Sequence, residues 1–285
     1  MTSSSASLSL RGRGLRKRYA ALLRPLERLF PGWLHPVRRI ESRGLDLHLD
    51  ARTEATNDVS LTDGEYEVEE TTFMERAVKD GDVFVDLGAN IGYFTCLASR
   101  WVGAQGRVLA IEPDRINFRH LRRNIRVNGG DSNTTAVRAA ASVKAGTTVL
   151  HRSLVNCGDH RIYSDDASSR IGERVRTVAI DDLVGSGRRV DFVKMDVQGA
   201  ETLVVSGMQR TLEQNAPHIA LLIEWWPYGL AQCGSSAAEL MQLLEKHGLD
   251  LWSLDGEQIA DACDPARAEQ PEYYLNVVAT RAWRW

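Results

Sequence analysis

The ten residues from Val83 to Gly92 (VFVDLGANIG) constrain the fold more than any other segment of the chain. The apolar run predicts a short buried strand, and the two glycines, Gly88 and Gly92, allow a tight turn into a helix. A second predicted strand, Arg107–Ile111, is followed by Glu112, twenty residues after the turn. A glycine turn after one strand and an acid after the next are typical of doubly wound sheets that bind an adenosine, with the acid on the ribose hydroxyls.

The turn also indicates which adenosine cofactor fits. A dinucleotide-binding loop reads G-x-G-x-x-G, because pyrophosphate needs a bare backbone above a helix N-terminus. Here Asn90 replaces the middle glycine, and Asp86 precedes the first glycine by two residues. The Asp86 carboxylate would repel pyrophosphate, but it suits the ammonium and sulfonium of S-adenosylmethionine. We therefore favour the methyl donor over a nicotinamide cofactor. A glycine turn without a ligand would explain either segment alone, but not the pair at this spacing.

Strands alternate with helices along most of the chain, which predicts an α/β fold with a doubly wound, mostly parallel sheet and an antiparallel last hairpin. Further strands are predicted near residues 45–49, 135–140, 147–151, 175–179, 190–195, 219–223, 250–254 and 274–280. Helices are predicted over residues 65–79, 93–99, 115–128, 200–212 and 236–247. The polar stretch at 153–174 is long for a connection, which indicates a functional segment or one that substrate orders.

Charge is distributed unevenly along the chain. Residues 1–43 contain ten Lys and Arg against two Glu, net +8, whereas the remainder carries −11. We predict a basic extension over residues 1–62, with a disordered Ser-rich start and an amphipathic helix over 15–30. This arm is expected to be solvated or docked on its own acidic body; contact with an anionic membrane surface or nucleic acid is the alternative. The acidic body argues against a nucleic-acid substrate.

Composition favours a reducing, cytoplasmic setting. The longest apolar run of the C-terminal half, Ile219–Ile223, is far too short to span a membrane. No N-terminal hydrophobic stretch leads to a cleavage site, so export is not indicated. Four widely separated cysteines give neither a metal-binding spacing nor a disulfide framework. They are Cys96, Cys157, Cys233 and Cys263.

Several segments, taken in order, resemble the FkbM-type S-adenosylmethionine-dependent methyltransferases. They are residues 83–92, 111–113, 124–128 and 190–201, with Gly207 and Glu224 after them. The resemblance covers roughly residues 82–224 and implies a class I methyltransferase (Rossmann-like) fold over 63–285, with a seven-stranded sheet, behind the N-terminal extension. It also implies methyl transfer to a hydroxyl of a sugar, glycan or natural product.

The resemblance assigns roles to individual residues. By position, the methyl-donor loop consists of Asp86, Gly88, Asn90 and Gly92, and Glu112 holds the ribose. The family commonly has Asp-x-Glu-Gly where this chain has Asp-Val-Gln-Gly at 196–199. The glutamine keeps the size and hydrogen-bonding reach of Glu but loses its charge. Any role of that carboxylate as base or metal ligand is therefore in doubt here.

A hydroxyl is a poor nucleophile, so we expect a general base. Asp196 and Glu224 each end a predicted strand, and these strands are neighbours in the implied fold. Two adjacent carboxylates raise one another's pKa, which would suit a base. Asp196 is the first candidate, and His160 in the polar stretch is another, although a lone loop histidine is more often solvated. The pair could instead hold Mg²⁺, which we favour less because the adjoining Trp225 offers no oxygen ligand.

Other interpretations stay open at this point. Trp225, Trp226 and Tyr228 could stack on an acceptor ring or simply pack in the core. A nucleic-acid or protein methyltransferase is a rival, but an adenine amino-methyltransferase would favour an Asn/Asp-Pro-Pro-aromatic run after the fourth strand, which the chain lacks. A dehydrogenase is disfavoured by the missing glycine. A catalytically silent nucleoside-binding module is the remaining alternative.

Overall fold

The computed structural model describes residues 37–50, 66–153, 156–164, 170–259 and 262–285. The predicted disordered start and the helix predicted over 15–30 lie outside these residues. The strands in chain order are β1 (Val37–Ser42), β2 (Leu45–Asp50), β3 (Val83–Leu87), β4 (Arg107–Ile111), β5 (Thr134–Val137), β6 (Ala140–Ala141), β7 (Gly146–Ser153), β8 (Arg170–Val178), β9 (Phe192–Met195), β10 (Ala220–Trp225), β11 (Asp250–Trp252) and β12 (Leu275–Thr280).

The helices lie mostly between these strands. They are α1 (Val68–Ala77), α2 (Tyr93–Trp101), α3 (Arg115–Val127), α4 (Ile180–Val184), α5 (Glu201–Ser206), α6 (Gln209–Asn215), α7 (Pro227–Gln232) and α8 (Ala237–Glu245), with short 3₁₀ turns at Gly130–Ser132 and Pro265–Glu269. Within the described part of the chain, every helix is too short or too polar to cross a membrane.

The main sheet has seven strands in the order β11-β12-β10-β9-β3-β4-β5. Strands β5, β4, β3, β9 and β10 pair in parallel, and β12 is antiparallel to both of its neighbours. The predicted mostly parallel sheet with an antiparallel last strand is therefore confirmed. Its strand order and the flanking helices are those of the class I methyltransferase fold.

The central strands are buried on both faces, which explains their nearly continuous apolar sequence. Phe84 stacks on Phe192 of the neighbouring strand, with ring centroids 5.4 Å apart, in the core formed with α1, α2 and α3. Val85 and Val193 point to the opposite face, where they join a second core with α5, α6 and α8. Alternate residues of the same strands thus hold the two helical layers.

The β1–β2 hairpin packs against the outer side of this domain through α3. Leu45, Leu47 and Leu49 are fully buried in the first core. Two asparagines one helical turn apart hold the outer edge of β2. Asn124 accepts from the amide of His48 and donates to its carbonyl, and Asn128 does the same with Asp46. The predicted boundary at residue 62 stays a prediction, although this hairpin inside the predicted extension packs on the domain.

Two sequence predictions of regular elements are wrong in detail. The helix predicted over 200–212 is two helices, α5 and α6, which meet at Gly207. A Cβ at Gly207 would lie 2.0 Å from the carbonyl oxygen of Ser142, so a side chain does not fit at the junction of the two helices. The strand predicted over 135–140 ends at Val137, and Ala140–Ala141 joins a different sheet.

That second sheet, in the order β6-β8-β7, covers part of the predicted polar stretch. Its long hairpin strands extend to Ser153 and begin again at Arg170, so the connection is shorter than the sequence indicated. Buried Arg152 of β7 forms an ion pair with Asp114, whose carboxylate also caps the N-terminus of α3. The small sheet is therefore anchored beside the carboxyl edge of the main sheet.

Candidate active site

Three adjoining cavities lie at the carboxyl edge of β4, β3, β9 and β10, where ligands bind in open α/β sheets. We call them the Glu112 cavity, the Asp86 cavity and the Glu224 cavity, after one residue that lines each. The first two share Gly88, Asn90, Gly158 and Asp196, and the last two share Lys194 and Asp196. Asp196 therefore borders all three cavities.

The turn after β3 needs its glycines for packing. Gly88 has a φ of +79°, and a Cβ there would lie 1.8 Å from the carbonyl oxygen of Asp196. Gly92 has a φ of +91°, and its Cβ would lie 2.6 Å from the Leu121 side chain of α3. Asn90 also adopts a left-handed conformation, with a φ of 51°. Gly88 and Asn90 line the Asp86 and Glu112 cavities, whereas Gly92 packs against a helix.

Unpartnered polar atoms mark the Asp86 cavity. Asp86 Oδ1, Asn90 Oδ1 and the Tyr93 hydroxyl are buried without a hydrogen-bond partner among the described residues, and all three residues line this cavity. The second oxygen of Asp86 accepts a hydrogen bond from the Thr95 hydroxyl at 2.5 Å. Burial raises the pKa of Asp86, while Lys194 and the Thr95 hydrogen bond oppose this rise. Unpaired buried acceptors favour a ligand that donates hydrogen bonds.

Glu112 connects the end of β4 to the turn after β3. Its two carboxylate oxygens accept from the backbone amides of Asn90 at 2.9 Å and Asp114 at 2.8 Å. Burial, reinforced by the charge of Asp114, raises the pKa of Glu112 to about 8. The Glu112 cavity is otherwise lined largely by small or apolar side chains, among them Ala139, Ala140, Ala141, Leu150 and Ile162. The apolar side chains can pack against a flat ring, and the Glu112 carboxyl group can form hydrogen bonds with hydroxyl groups.

Gln198 bridges the two predicted catalytic carboxylates. Its Nε2 donates to Asp196 Oδ1 at 2.8 Å and to Glu224 Oε2 at 2.7 Å. Strands β9 and β10 are neighbours, as predicted, and bring these carboxylates together. Burial raises the pKa of Glu224 well above its usual value, and the charge of Asp196 adds to this rise. The bridging amide was not predicted from the sequence.

Lys194 lies between the Asp86 and Glu224 cavities. Its Nζ is 3.5 Å from Asp196 Oδ2 and 4.8 Å from the centre of the Phe94 ring. Burial alone would lower the pKa of Lys194, but the charges of Asp196, Glu67 and other nearby carboxylates raise it above its usual value. Lys194 therefore forms an ion pair with Asp196 inside the site.

Glu67 is a further residue of the site that the sequence did not reveal. It lines the Glu224 cavity with Glu70, Tyr274 and Asn276. Glu67 precedes α1 in a left-handed conformation, with a φ of 42°. Burial raises its pKa to about 7, although Lys194 opposes this rise. These residues come from distant segments without a recognisable motif, so only the fold brings them together.

His160 lies in the Glu112 cavity. Its Nδ1 accepts from the amide of Ser153 at 3.1 Å, and its Nε2 is 3.9 Å from Asp114 Oδ2. Burial lowers the pKa of His160 to about 4, so the ring is uncharged at neutral pH. His160 and Glu224 line different cavities, and among the described residues Asp196 is the one that lines both.

Both tryptophans that follow Glu224 donate hydrogen bonds to backbone carbonyls. Trp225 is fully buried and donates from its ring nitrogen to the carbonyl of Ala262 at 2.9 Å. Trp226 donates to the carbonyl of Pro271 at 3.0 Å, and the guanidinium of Arg161 lies 4.8 Å from its ring centre. Of the two interpretations, core packing is correct for Trp225. Within the described residues, no group of three His, Cys, Asp or Glu is placed to hold a metal ion.

The chain is similar in sequence to two known methyltransferases. The chain is 29% identical over 143 residues to the hexuronic acid methyltransferase AglP of Haloferax volcanii, which covers 49% of this chain and 55% of AglP. It is 26% identical over 197 residues to the methyltransferase sdnD of Sordaria araneosa, which covers 59% of this chain and 73% of sdnD. The chain thus matches little more than half the length of AglP.

Solved structures and a family model complete the comparison. An S-adenosylmethionine-dependent O-methyltransferase of Thermotoga maritima superposes with a TM-score of 0.44 at 12% identity, covering 88% of this chain and 79% of that one. The model of the methyltransferase FkbM domain matches residues 86–251, from within β3 to within β11. Because this match covers more than half of the chain, the protein belongs to the family of methyltransferases with an FkbM domain.

Proposed function

We propose that this methyltransferase transfers the methyl group of S-adenosylmethionine to a hydroxyl of a sugar, glycan or natural product. The observation that carries the proposal is the set of buried, unpartnered polar atoms of Asp86, Asn90 and Tyr93 in one cavity beside Glu112. Burying such atoms costs free energy unless a ligand forms hydrogen bonds with them. A zwitterionic nucleoside with an ammonium group supplies the required hydrogen-bond donors.

The residues of two cavities fit this methyl donor. Asp86 would accept hydrogen bonds from its ammonium group, and the Tyr93 hydroxyl would donate to its carboxylate. Glu112 would accept from the ribose hydroxyls with the lone pairs that its backbone partners leave free. The alanines of the Glu112 cavity would contact the adenine ring. When bound, S-adenosylmethionine supplies an electrophilic methyl group on a positively charged sulfur.

The Glu224 cavity suits a hydroxylated acceptor. Carboxylates, the Asn276 amide and the Tyr274 phenol offer hydrogen bonds to several hydroxyl groups. Asp196 borders both this cavity and the Asp86 cavity, so its carboxylate is the group we assign as general base. Asp196 would accept the proton that the acceptor hydroxyl loses on methylation, and the cavity walls would orient the acceptor and restrict water.

The relatives support a sugar or natural-product acceptor. AglP is described as a hexuronic acid methyltransferase, and its partial similarity to this chain is consistent with a sugar-derived acceptor. We also propose a cytoplasmic location, which the four free cysteines support. Contact of the basic N-terminal arm with an anionic membrane surface stays a prediction.

Calorimetric titration tests the choice of cofactor. We expect S-adenosylmethionine to bind with a dissociation constant in the micromolar range or below, and NAD to give no heat of binding at the same concentrations. A parallel titration with S-adenosylhomocysteine controls for recognition of the nucleoside alone. Binding of NAD without a response to S-adenosylmethionine would contradict the proposal.

A further inference from the structure

The amide of Gln198 occupies the space between two carboxylates. Its two N–H groups are both used, one on Asp196 and one on Glu224. An amide oxygen in that place would face the acceptor oxygens of two carboxyl groups, so the observed orientation is the favourable one. The amide thus provides one hydrogen bond to each of the two carboxyl groups.

The backbone around Gln198 fixes where this amide lies. Gln198 has a φ of 54°. This left-handed backbone conformation costs a residue other than glycine roughly 1 kcal/mol. The next residue, Gly199, packs so closely on α7 that a Cβ would lie 2.4 Å from the carbonyl oxygen of Gly229. The backbone of the turn after β9 is therefore held in one conformation, which fixes the position of the Gln198 Cα atom.

The amide is also well placed to replace a counter-ion. Lys194 contacts the other oxygen of Asp196, at 3.5 Å, whereas the polar contact of Glu224 in the described residues is to the Gln198 amide. Glu201 and Glu67 add negative charge around Glu224. Two carboxylates this close are otherwise bridged by a shared proton or a divalent cation.

We propose that Gln198 is a positioning residue, whose amide holds Asp196 and Glu224 together in the place that a divalent cation would otherwise occupy. This inference rests on the proposed function only in assigning the base role to Asp196. A carboxylate at position 198 would converge with the other two to form a set of hard oxygen ligands. Removing the side chain would free the two oxygens that the amide now occupies.

Mn²⁺ binding to the full-length protein, followed by electron paramagnetic resonance of the free ion, tests this inference. We expect Gln198→Glu to bind Mn²⁺ at least tenfold more tightly than the wild type, with Gln198→Ala between them. Gln258→Glu, the same change at an exposed residue outside the three cavities, should bind like the wild type. Mn²⁺ should raise the melting temperature of Gln198→Glu, and a chelator should reverse the increase.

The result that would overturn the inference is equal Mn²⁺ affinity in the wild type, Gln198→Ala and Gln198→Glu. If Gln198→Ala does not fold, equal affinity of the wild type and Gln198→Glu has the same meaning. Titration of each folded variant with S-adenosylmethionine separates the two proposals. Failure of the wild type to bind this nucleoside would contradict the proposed function. The Mn²⁺ affinities of the variants would still test the positioning role of Gln198.

Discussion

At the scale of single residues, the two oxygens of Asp86 have different partners. One accepts from Thr95, and the other is buried without a partner in the described chain. The first contact fixes the orientation of the carboxylate, so that the second oxygen is available in a defined direction. A ligand that donates to it recovers the free energy that its burial costs.

Asp86→Asn should therefore weaken binding of S-adenosylmethionine at least tenfold, which corresponds to about 1.4 kcal/mol. The amide keeps the shape of the carboxylate and can still accept from Thr95, but it cannot attract an ammonium group. Calorimetry at pH 7.5 measures the change. Asp182→Asn, at an exposed position in α4, provides the matched control and should bind like the wild type. Unchanged affinity of Asp86→Asn would exclude this carboxylate from the site.

At the scale of elements, the turn after β3 depends on contact with its neighbours. The carbonyl of Asp196 at the end of β9 occupies the space where a Gly88 side chain would lie. The amide of Asn124 in α3 donates to the carbonyl of Ile91 at 2.7 Å and holds the other end of the turn. The turn is therefore shaped by a neighbouring strand end and a helix as well as by its own glycines.

Gly88→Ala should be far more destabilising than Gly81→Ala. Both glycines have a positive φ, of +79° and +85°, but a Cβ at Gly81 meets nothing within 4 Å. We expect Gly81→Ala to cost about 1 to 2 kcal/mol from its conformation alone. Gly88→Ala should cost at least about 2 kcal/mol more because of the clash, or prevent folding. Urea unfolding measures both, and equal losses would contradict the packing role of Gly88.

Local patterns predicted the parallel sheet, the glycine turn and the acids at 86 and 112, because each of these depends on neighbouring residues in the sequence. Contacts between distant segments were not predictable in this way. Gly207, where the helix breaks, lies against the backbone of Ser142, and Glu67 reaches the site because α1 begins beside β9 and β10. The bridge made by Gln198 likewise needs two strand ends to meet.

At the scale of the whole molecule, several carboxylates are buried and bind protons more tightly in the folded state. Burial raises the pKa of Glu67 and Glu201 to about 7 and that of Glu112 to about 8. An unfolded chain releases these protons near pH 4.5, so the folded state binds more protons between pH 4.5 and 8. Stability from these groups is therefore present at low pH and is lost as the pH rises through their folded-state pKa values.

Glu201→Gln should reduce this loss of stability. Glu201 is fully buried, and the glutamine oxygen can still accept from the amide of Gly199. Between pH 5 and 8.5, we expect the variant to lose about 2 to 3 kcal/mol less than the wild type in urea unfolding without ligand. The opposite effect of His160, whose folded-state pKa is lowered, is common to both proteins and cancels. An identical pH dependence in the two proteins would contradict this account.

The asparagine pair on α3 has a consequence for how molecules meet each other. Asn128 binds the backbone of Asp46, and Asn124 binds the backbone of His48. These backbone groups lie on the edge of β2 that faces away from β1. Unpaired edges of this kind recruit strands from other chains and begin aggregation. Here two side chains of a helix take the place of a further strand at these groups, so this part of the hairpin edge is closed to association by strand addition.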